Sequence, residues 1–148
     1  MTTLGNFVVG QILTASDMNI IGTWSSFTVT TTGSANMTFT GQQCVINELC
    51  IFEIIGTATG ACTPPVTVTY PQGMASLNGA VGLQAGYFDD SASIWYYGPM
   101  QRSSGSIGQT RVWNASGTYL TSTQPTNLIP FTWAINDLFV LTGSYRMS

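Results

Sequence analysis

The chain has 148 residues, only 6% of which are charged: three arginines, six acids and no histidine or lysine. This length fits one domain, and so few cations leave no basic patch for nucleic acid. Because the commonest general base and the Schiff-base amine are both missing, we predict a protein that is not an enzyme and needs no cofactor.

The sparse charge also predicts how the surface is built. With 6% charged residues, the surface must consist mainly of Thr, Ser, Gly, Asn and Gln, and apolar area must be hidden against partner subunits. No apolar run approaches the roughly 20 residues that cross a bilayer, and residues 1–10 lack the pattern of a signal peptide. We therefore expect a homo-oligomer that is made in a cytoplasm and does not insert into membranes.

The first element is an N-terminal arm, residues 1–23. Thr14 and Asp17 have the spacing of a capping box, and Gly22 supplies a stop, which predicts a helix of about two turns. A helix this short is not stable alone in water, so the apolar residues of the arm must dock either on their own domain or on a neighbouring subunit or particle. These residues are Phe7, Val8, Val9, Leu13, Met18, Ile20 and Ile21.

The rest of the chain, residues 24–148, alternates apolar and polar residues with period two between Gly, Pro and Asn punctuation. This pattern predicts an all-β domain of antiparallel strands, folded as a β-sandwich of jelly-roll kind. The predicted strands are 24–31, 36–40, 43–46, 49–57, 66–70, 80–88, 93–97, 109–114 and 138–146.

Residues 49–55 are apolar at both parities, which is not typical of a strand with one solvated face. The pattern recurs at 138–141. We therefore expect part of the sheet to be covered on one side by the core of the domain and on the other side by another subunit or by the arm. Glu53 lies on the face of Leu49 and Ile51, where burial of its carboxylate would require an arginine partner. We expect a structural ion pair there in preference to a functional carboxylate.

Cys44, Cys50 and Cys62 have no metal-ligand spacing, and we interpret them as buried thiols. If Asn47 and Glu48 form a two-residue hairpin turn, Cys44 pairs with Ile51 while Cys50 pairs with Val45. The two thiols then point to opposite faces, and no disulfide joins them. A catalytic or metal site at the cysteines is not expected.

Asp89 and Asp90 form the one acidic pair that a glycosidase or a calcium site might use. We interpret them instead as a solvated turn between strands, because successive residues of a strand point to opposite faces. An enzyme that degrades surface polysaccharide would need two of the six acids to meet in one groove.

The aromatic run Trp95, Tyr96 and Tyr97, together with Trp113, has two interpretations. Aromatic faces stack on sugars, so the run is a candidate glycan-binding platform. It also fits core and interface packing, since only one parity of a strand can face outward.

Several stretches resemble a family of virion proteins from tailed bacteriophages, which includes tail-fibre, minor-tail and capsid-decoration proteins. They are residues 10–19 (GQILTASDMN), 24–29 (WSSFTV), 114–120 (NASGTYL), 130–134 (PFTWA), Asp137 and 143–145 (GSY). The resemblance implies an oligomeric β-sandwich, a trimer, without catalytic activity. Residues 44–100 depart from the family pattern, so no receptor contact can be carried over.

Two functions follow as expectations. The first is a capsid cement or decoration protein of the virion, a homotrimer whose arm clamps the major capsid protein and reinforces the shell by many repeated contacts. The alternative is a tail-fibre or tail-tip adhesin that attaches to tail proteins through the arm and recognises host-surface glycan through Trp95, Tyr96 and Tyr97.

Overall fold

The computed structural model describes residues 22–46, 48–71, 80–104, 107–116 and 118–147. The predicted helix that begins at Thr14, and the seven apolar arm residues from Phe7 to Ile21, lie outside these ranges. Whether the arm is helical and what it contacts therefore stay predictions.

All regular secondary structure in the described ranges is β, and the strands pair antiparallel, which confirms the predicted fold class. No helix in these ranges is long and apolar enough to cross a membrane. The strands are β1 (Trp24–Ser26), β2 (Thr31–Thr32), β3 (Ala35–Ile46), β4 (Leu49–Thr63), β5 (Thr67–Thr69), β6 (Ala80–Asp89), β7 (Ile94–Ser104), β8 (Ile107–Thr110), β9 (Val112–Ser116), β10 (Tyr119–Thr123) and β11 (Leu138–Arg146).

Nine strands form one sheet in the order β1-β3-β4-β11-β6-β7-β8-β5-β2, and β9 and β10 form a separate hairpin. The large sheet is curled, because its two edge strands are joined by residues 27–30. Phe27 N donates to Gly41 O over 3.1 Å at one edge, and Thr69 N donates to Thr30 O over 2.9 Å at the other. The sandwich of jelly-roll kind stays a prediction.

The core lies inside the curl, on what we call the inner face of the sheet. Two aromatic clusters fill it. Phe52, Tyr70 and Tyr145 meet with ring centroids 5.3–6.1 Å apart. In the second cluster, Tyr87 contacts Trp133 at 6.2 Å, and Trp133 reaches the core from the long connection between β10 and β11. Edge-to-face and tilted contacts at these separations are the favoured arrangement of aromatic rings.

Several predicted boundaries were wrong for identifiable reasons. Strands 36–40 and 43–46 are one strand, because Gly41 allows Phe27 and Val29 to lie against the backbone rather than making a turn: a Cβ there would sit 2.7–2.8 Å from their side chains. Strand 24–31 is divided into β1 and β2 where the chain passes between the sheet edges. The prediction missed β10, although Gly117 and Thr118 stand where a two-residue hairpin loop would lie between it and β9.

The cysteine register is confirmed. Cys44 pairs with Ile51, and Val45 pairs with Cys50, so the two thiols lie on opposite faces of the sheet. All three cysteines are free and buried. Burial raises the pKa of the Cys50 thiol, which is the environment of an unreactive structural cysteine.

Candidate binding surface

The face of the large sheet that points away from the core carries a band of apolar side chains across several strands. Residues directly opposite each other in an antiparallel pair share a face, so the register identifies this band. We call it the outer apolar face, and its members are Trp24, Leu49, Ile51, Ile55, Phe88, Trp95, Tyr97, Leu138 and Val140.

The centre of the outer apolar face confirms that the sheet is apolar on both sides. Val140 of β11 lies opposite Ile55 of β4 and Gly86 of β6, and Gly86 in turn lies opposite Tyr97 of β7. On the inner face, the neighbouring residue Ile54 is completely buried, whereas Ile55 and Val140 are only half-buried. The described residues therefore cover one apolar side of the sheet fully and the other partly.

One end of the outer apolar face is aromatic. The rings of Trp95 and Tyr97 lie nearly parallel, with an interplanar angle of 13° and centroids 5.9 Å apart, and Phe88 lies 4.9 Å from Trp95. Gly86 makes room for them, since a Cβ at that position would lie 3.1 Å from the indole and 3.5 Å from the phenol ring. Trp95 and Tyr97 remain 42% and 45% exposed, so both rings are accessible to a partner.

The predicted aromatic trio does not lie together. Tyr96 points to the inner side, where its ring lies 5.4 Å from that of Phe131, while Trp95 and Tyr97 point outward. Alternation along β7 is the physical reason. Trp113 is elsewhere, on the hairpin strand β9. Of the predicted trio, only Trp95 and Tyr97 are therefore available to a glycan or protein partner. Phe88 of β6, which was not predicted as a site residue, packs beside them.

Charge on the outer apolar face differs from the prediction. Glu53 lies opposite Gln42 and Thr142, but its side chain is exposed, so its carboxylate is solvated and requires no arginine. The predicted ion pair at Glu53 is not found within the described residues. An exposed pair forms instead at the end of the face, where Arg146 Nε donates to Glu48 Oε2 over 2.7 Å.

Asp89 and Asp90 form the predicted turn between β6 and β7. Asp89 Oδ1 accepts hydrogen bonds from Ser91 Oγ at 2.7 Å and Ala92 N at 3.0 Å. The bond from Ser91, followed by that from Ala92, lowers the pKa of the Asp89 carboxyl. Within the described residues, no group of three or more His, Cys, Asp or Glu side chains could hold a metal ion.

A buried carboxylate, Asp137, has a role that the sequence analysis missed. It is 1% exposed, and it accepts hydrogen bonds from Asp90 N at 2.9 Å and Ala134 N at 2.6 Å. These bonds tie the β6–β7 turn, next to the aromatic end of the outer apolar face, to the connection that leads into β11. Asp137 therefore supports the surface without belonging to it.

The arm joins the domain at the opposite edge of the same face. Trp24 of β1 lies opposite Cys44 of β3, which lies opposite Ile51 of β4. Trp24 is 50% exposed, and Gly22, with φ of 81°, marks the start of the described chain. The described chain thus begins at the edge of the sheet where Trp24 belongs to the outer apolar face.

No protein-family model, curated protein or solved structure shows a significant match to this chain.

Proposed function

We propose that this chain is a non-catalytic structural protein of a tailed-bacteriophage virion, a homo-oligomeric capsid decoration or cement protein with a jelly-roll-like sandwich domain. It docks on the major capsid protein through the outer apolar face, and the arm, residues 1–23, extends over the shell from the edge of that face. The observation that carries the proposal is the partly exposed apolar patch around Ile55 and Val140, which lies on the same side of the sheet as Trp24, next to the arm.

Apolar residues on the second side of the sheet cost free energy when they are left in water. An antiparallel sheet with one face in water normally alternates apolar and polar residues, yet β4 and β11 present Ile55 and Val140 on the side away from the core. Burial of apolar surface contributes about 25 cal/mol per Å². A partly exposed apolar patch indicates a face that a partner covers, and the patch on this side consists of Ile55, Phe88, Trp95, Tyr97, Leu138 and Val140.

The charge distribution fits a docking side. Apart from Glu53 and the Glu48–Arg146 pair at one end, the rows of the outer apolar face described above carry no charge. Contacts through such a surface depend little on ionic strength, because screening acts on charges. This property suits a particle that meets media of variable salt content.

The test is co-sedimentation with phage shells that lack this protein. We expect a chain that begins at Gly22, and separately the double variant Ile55→Thr/Val140→Thr, to lose at least ten-fold in binding while remaining folded. The matched control is Leu128→Thr, since Leu128 is 64% exposed on the connection before β11 and should bind like the unmodified chain. Unchanged binding by both the truncated chain and the double variant would refute the proposal.

Copy number in purified particles separates head from tail. Hundreds of copies per virion are expected for a protein that covers the shell. A few copies, or a few tens, would move the protein to the tail and contradict the cement assignment.

A second candidate, a tail-fibre or tail-tip adhesin for host-surface glycan, is favoured by one observation: the exposed, nearly parallel rings of Trp95 and Tyr97. Flat aromatic surfaces with polar edges bind the apolar faces of sugars. If this candidate holds, Trp95→Ala abolishes binding to host envelopes, whereas Trp113→Ala, which removes an exposed tryptophan from the hairpin, leaves it intact. Absence of binding by the unmodified chain would exclude it.

A further inference from the structure

The β9–β10 hairpin exposes large apolar side chains, with Trp113 and Leu120 on one face and Tyr119 on the other. Its register places Leu120 opposite Ala115 and Ser122 opposite Trp113, so these four residues share one face, which we call the distal face. The other face begins with Val112, which is 3% exposed and anchors the hairpin in the core. Trp113 and Leu120 on the distal face are 46% and 61% exposed.

The base of the hairpin is firmly held. Tyr87 Oη donates to Arg111 O over 3.0 Å, immediately before β9. Gly98 of β7 lies against the same segment so closely that a Cβ would clash with the backbone of Arg111. These contacts fix the position of the hairpin relative to the large sheet. The distal face is therefore exposed in a hairpin that is anchored at its base.

Strand β10 also presents an unprotected edge. It pairs with β9 on one side, and among the described residues no strand lies on its other side. Edge strands are normally protected from pairing by charged residues or proline, and residues 119–123 (YLTST) contain neither. A projecting two-stranded hairpin is only marginally stable in water, so a further strand would stabilise it.

We propose that β10 pairs antiparallel with β10 of a second copy of this chain, about a two-fold axis at Thr121. In this register all five residues of the strand are paired: Thr121 faces Thr121, Leu120 faces Ser122, and Tyr119 faces Thr123 of the second copy. The two hairpins then form one four-stranded sheet whose distal faces merge. Pairing two identical strands carries no repulsion, because β9 and β10 contain no charged residue.

The small exposed area of the hairpin predicts that the contact between two β10 strands is weak. A fully exposed aromatic side chain offers about 150–250 Å², so Trp113 on the distal face, 46% exposed, and Tyr119 on the other face, 79% exposed, together offer at most roughly 250 Å² per copy. Stable specific interfaces bury about 800 Å² per partner. The isolated chain should thus dimerise only at high concentration, and high local concentration on an assembled particle would favour the contact.

This contact does not depend on the proposed function, since it concerns the purified chain alone. Charge variants at Thr121 test it, because like charges directly opposite each other destabilise a strand pair. We expect Thr121→Lys and Thr121→Glu each to weaken self-association at least ten-fold in sedimentation velocity, and an equimolar mixture of the two to restore it. Misfolding cannot be rescued by mixing. Unchanged association of either variant, or no rescue, would overturn the proposal.

Cross-linking tests the register. Directly opposite Cα atoms lie about 5 Å apart, within disulfide reach, whereas Ser122 of the two copies would be roughly 8 Å apart. With copper phenanthroline as the oxidant, Thr121→Cys should yield a covalent dimer and Ser122→Cys at least ten-fold less. The three native cysteines are buried and should not interfere. Equal yields from the two variants, or no dimer from Thr121→Cys, would overturn the pairing.

Discussion

Two neighbouring residues of β4, Ile54 and Ile55, show how the two faces of the curled sheet differ. Ile54 lies on the inner face and is completely buried, while Ile55 lies on the outer apolar face and is half-buried opposite Val140. The side chains are identical and their backbones are continuous, so the difference between them comes from what covers each face. The inner face contributes to the stability of the domain, and the outer apolar face offers surface for association.

The largest expected effect compares these two isoleucines directly. Ile54→Ala should lower the free energy of unfolding by about 2–5 kcal/mol, since it leaves a cavity in a closed core. Ile55→Ala should cost only about 1 kcal/mol in the isolated chain, because its side chain is already partly in water. Urea denaturation measures both. Equal losses would mean that the outer apolar face is as fully covered as the core in the free protein.

The next effect concerns the buried carboxylate that holds the aromatic end of the surface. Asp137→Ala leaves the N–H groups of Asp90 and Ala134 without their acceptor, at a cost of about 1–3 kcal/mol. The control is Asp90→Ala, since the Asp90 side chain is exposed and its backbone donor is retained, so its effect should stay within about 0.5 kcal/mol. Thermal unfolding of the two variants measures both losses, and equal losses would contradict the role of the Asp137 carboxylate.

Alkaline pH should lower the free energy of unfolding by a smaller amount, through the Cys62 thiol on the inner face. Burial raises the pKa of the Cys62 thiol from 9.0 to about 11, and the nearby Asp137 carboxylate adds to the rise. Because the folded chain holds this proton more tightly than the unfolded chain, the contribution is complete below pH 9 and is lost as the pH rises to about 11. The stability difference between the native chain and Cys62→Ala should therefore shrink across this window. A difference that stays constant would contradict the assignment.

The smallest expected change in stability is on the outer apolar face. Val140→Thr keeps the shape of the side chain and should alter the free energy of unfolding of the isolated chain by less than about 1 kcal/mol, since the residue is half-buried. The matched inner substitution, Phe139→Ala on the same strand, should cost about as much as Ile54→Ala, because it also leaves a cavity in the core. Denaturant midpoints of the two variants measure this. Because both residues lie on β11, a large loss of stability for Phe139→Ala alone would show that the loss depends on the face of the sheet.

Local patterns in the sequence predicted much of this arrangement. Strand β11 was predicted with its observed bounds, and the apolar residues at both parities of β4 predicted the second apolar face. The Cys44 and Cys50 registers followed from a two-residue turn, because alternation and hairpin geometry act between near neighbours.

The remainder depended on long-range contacts. A glycine that makes a turn and one that admits a neighbouring ring look alike in sequence, which is why Gly41 was taken for a strand boundary and Gly86 was not identified beneath Trp95 and Tyr97. The long β7, the edge-joining residues 27–30 and the exposure of Glu53 likewise follow from how distant strands meet. Contacts between strands that are distant in the sequence cannot be predicted from local sequence patterns.

We propose that a partner covers the outer apolar face in the assembled particle. Hydroxyl-radical footprinting of the chain, free and bound to purified particles, measures this directly, with Leu128 and Ile135, exposed residues of the connection before β11, as references. We predict that oxidation of Leu49, Trp95 and Tyr97 falls several-fold on binding while that of the references is unchanged. Equal oxidation of the face in the free and bound chain would contradict the account.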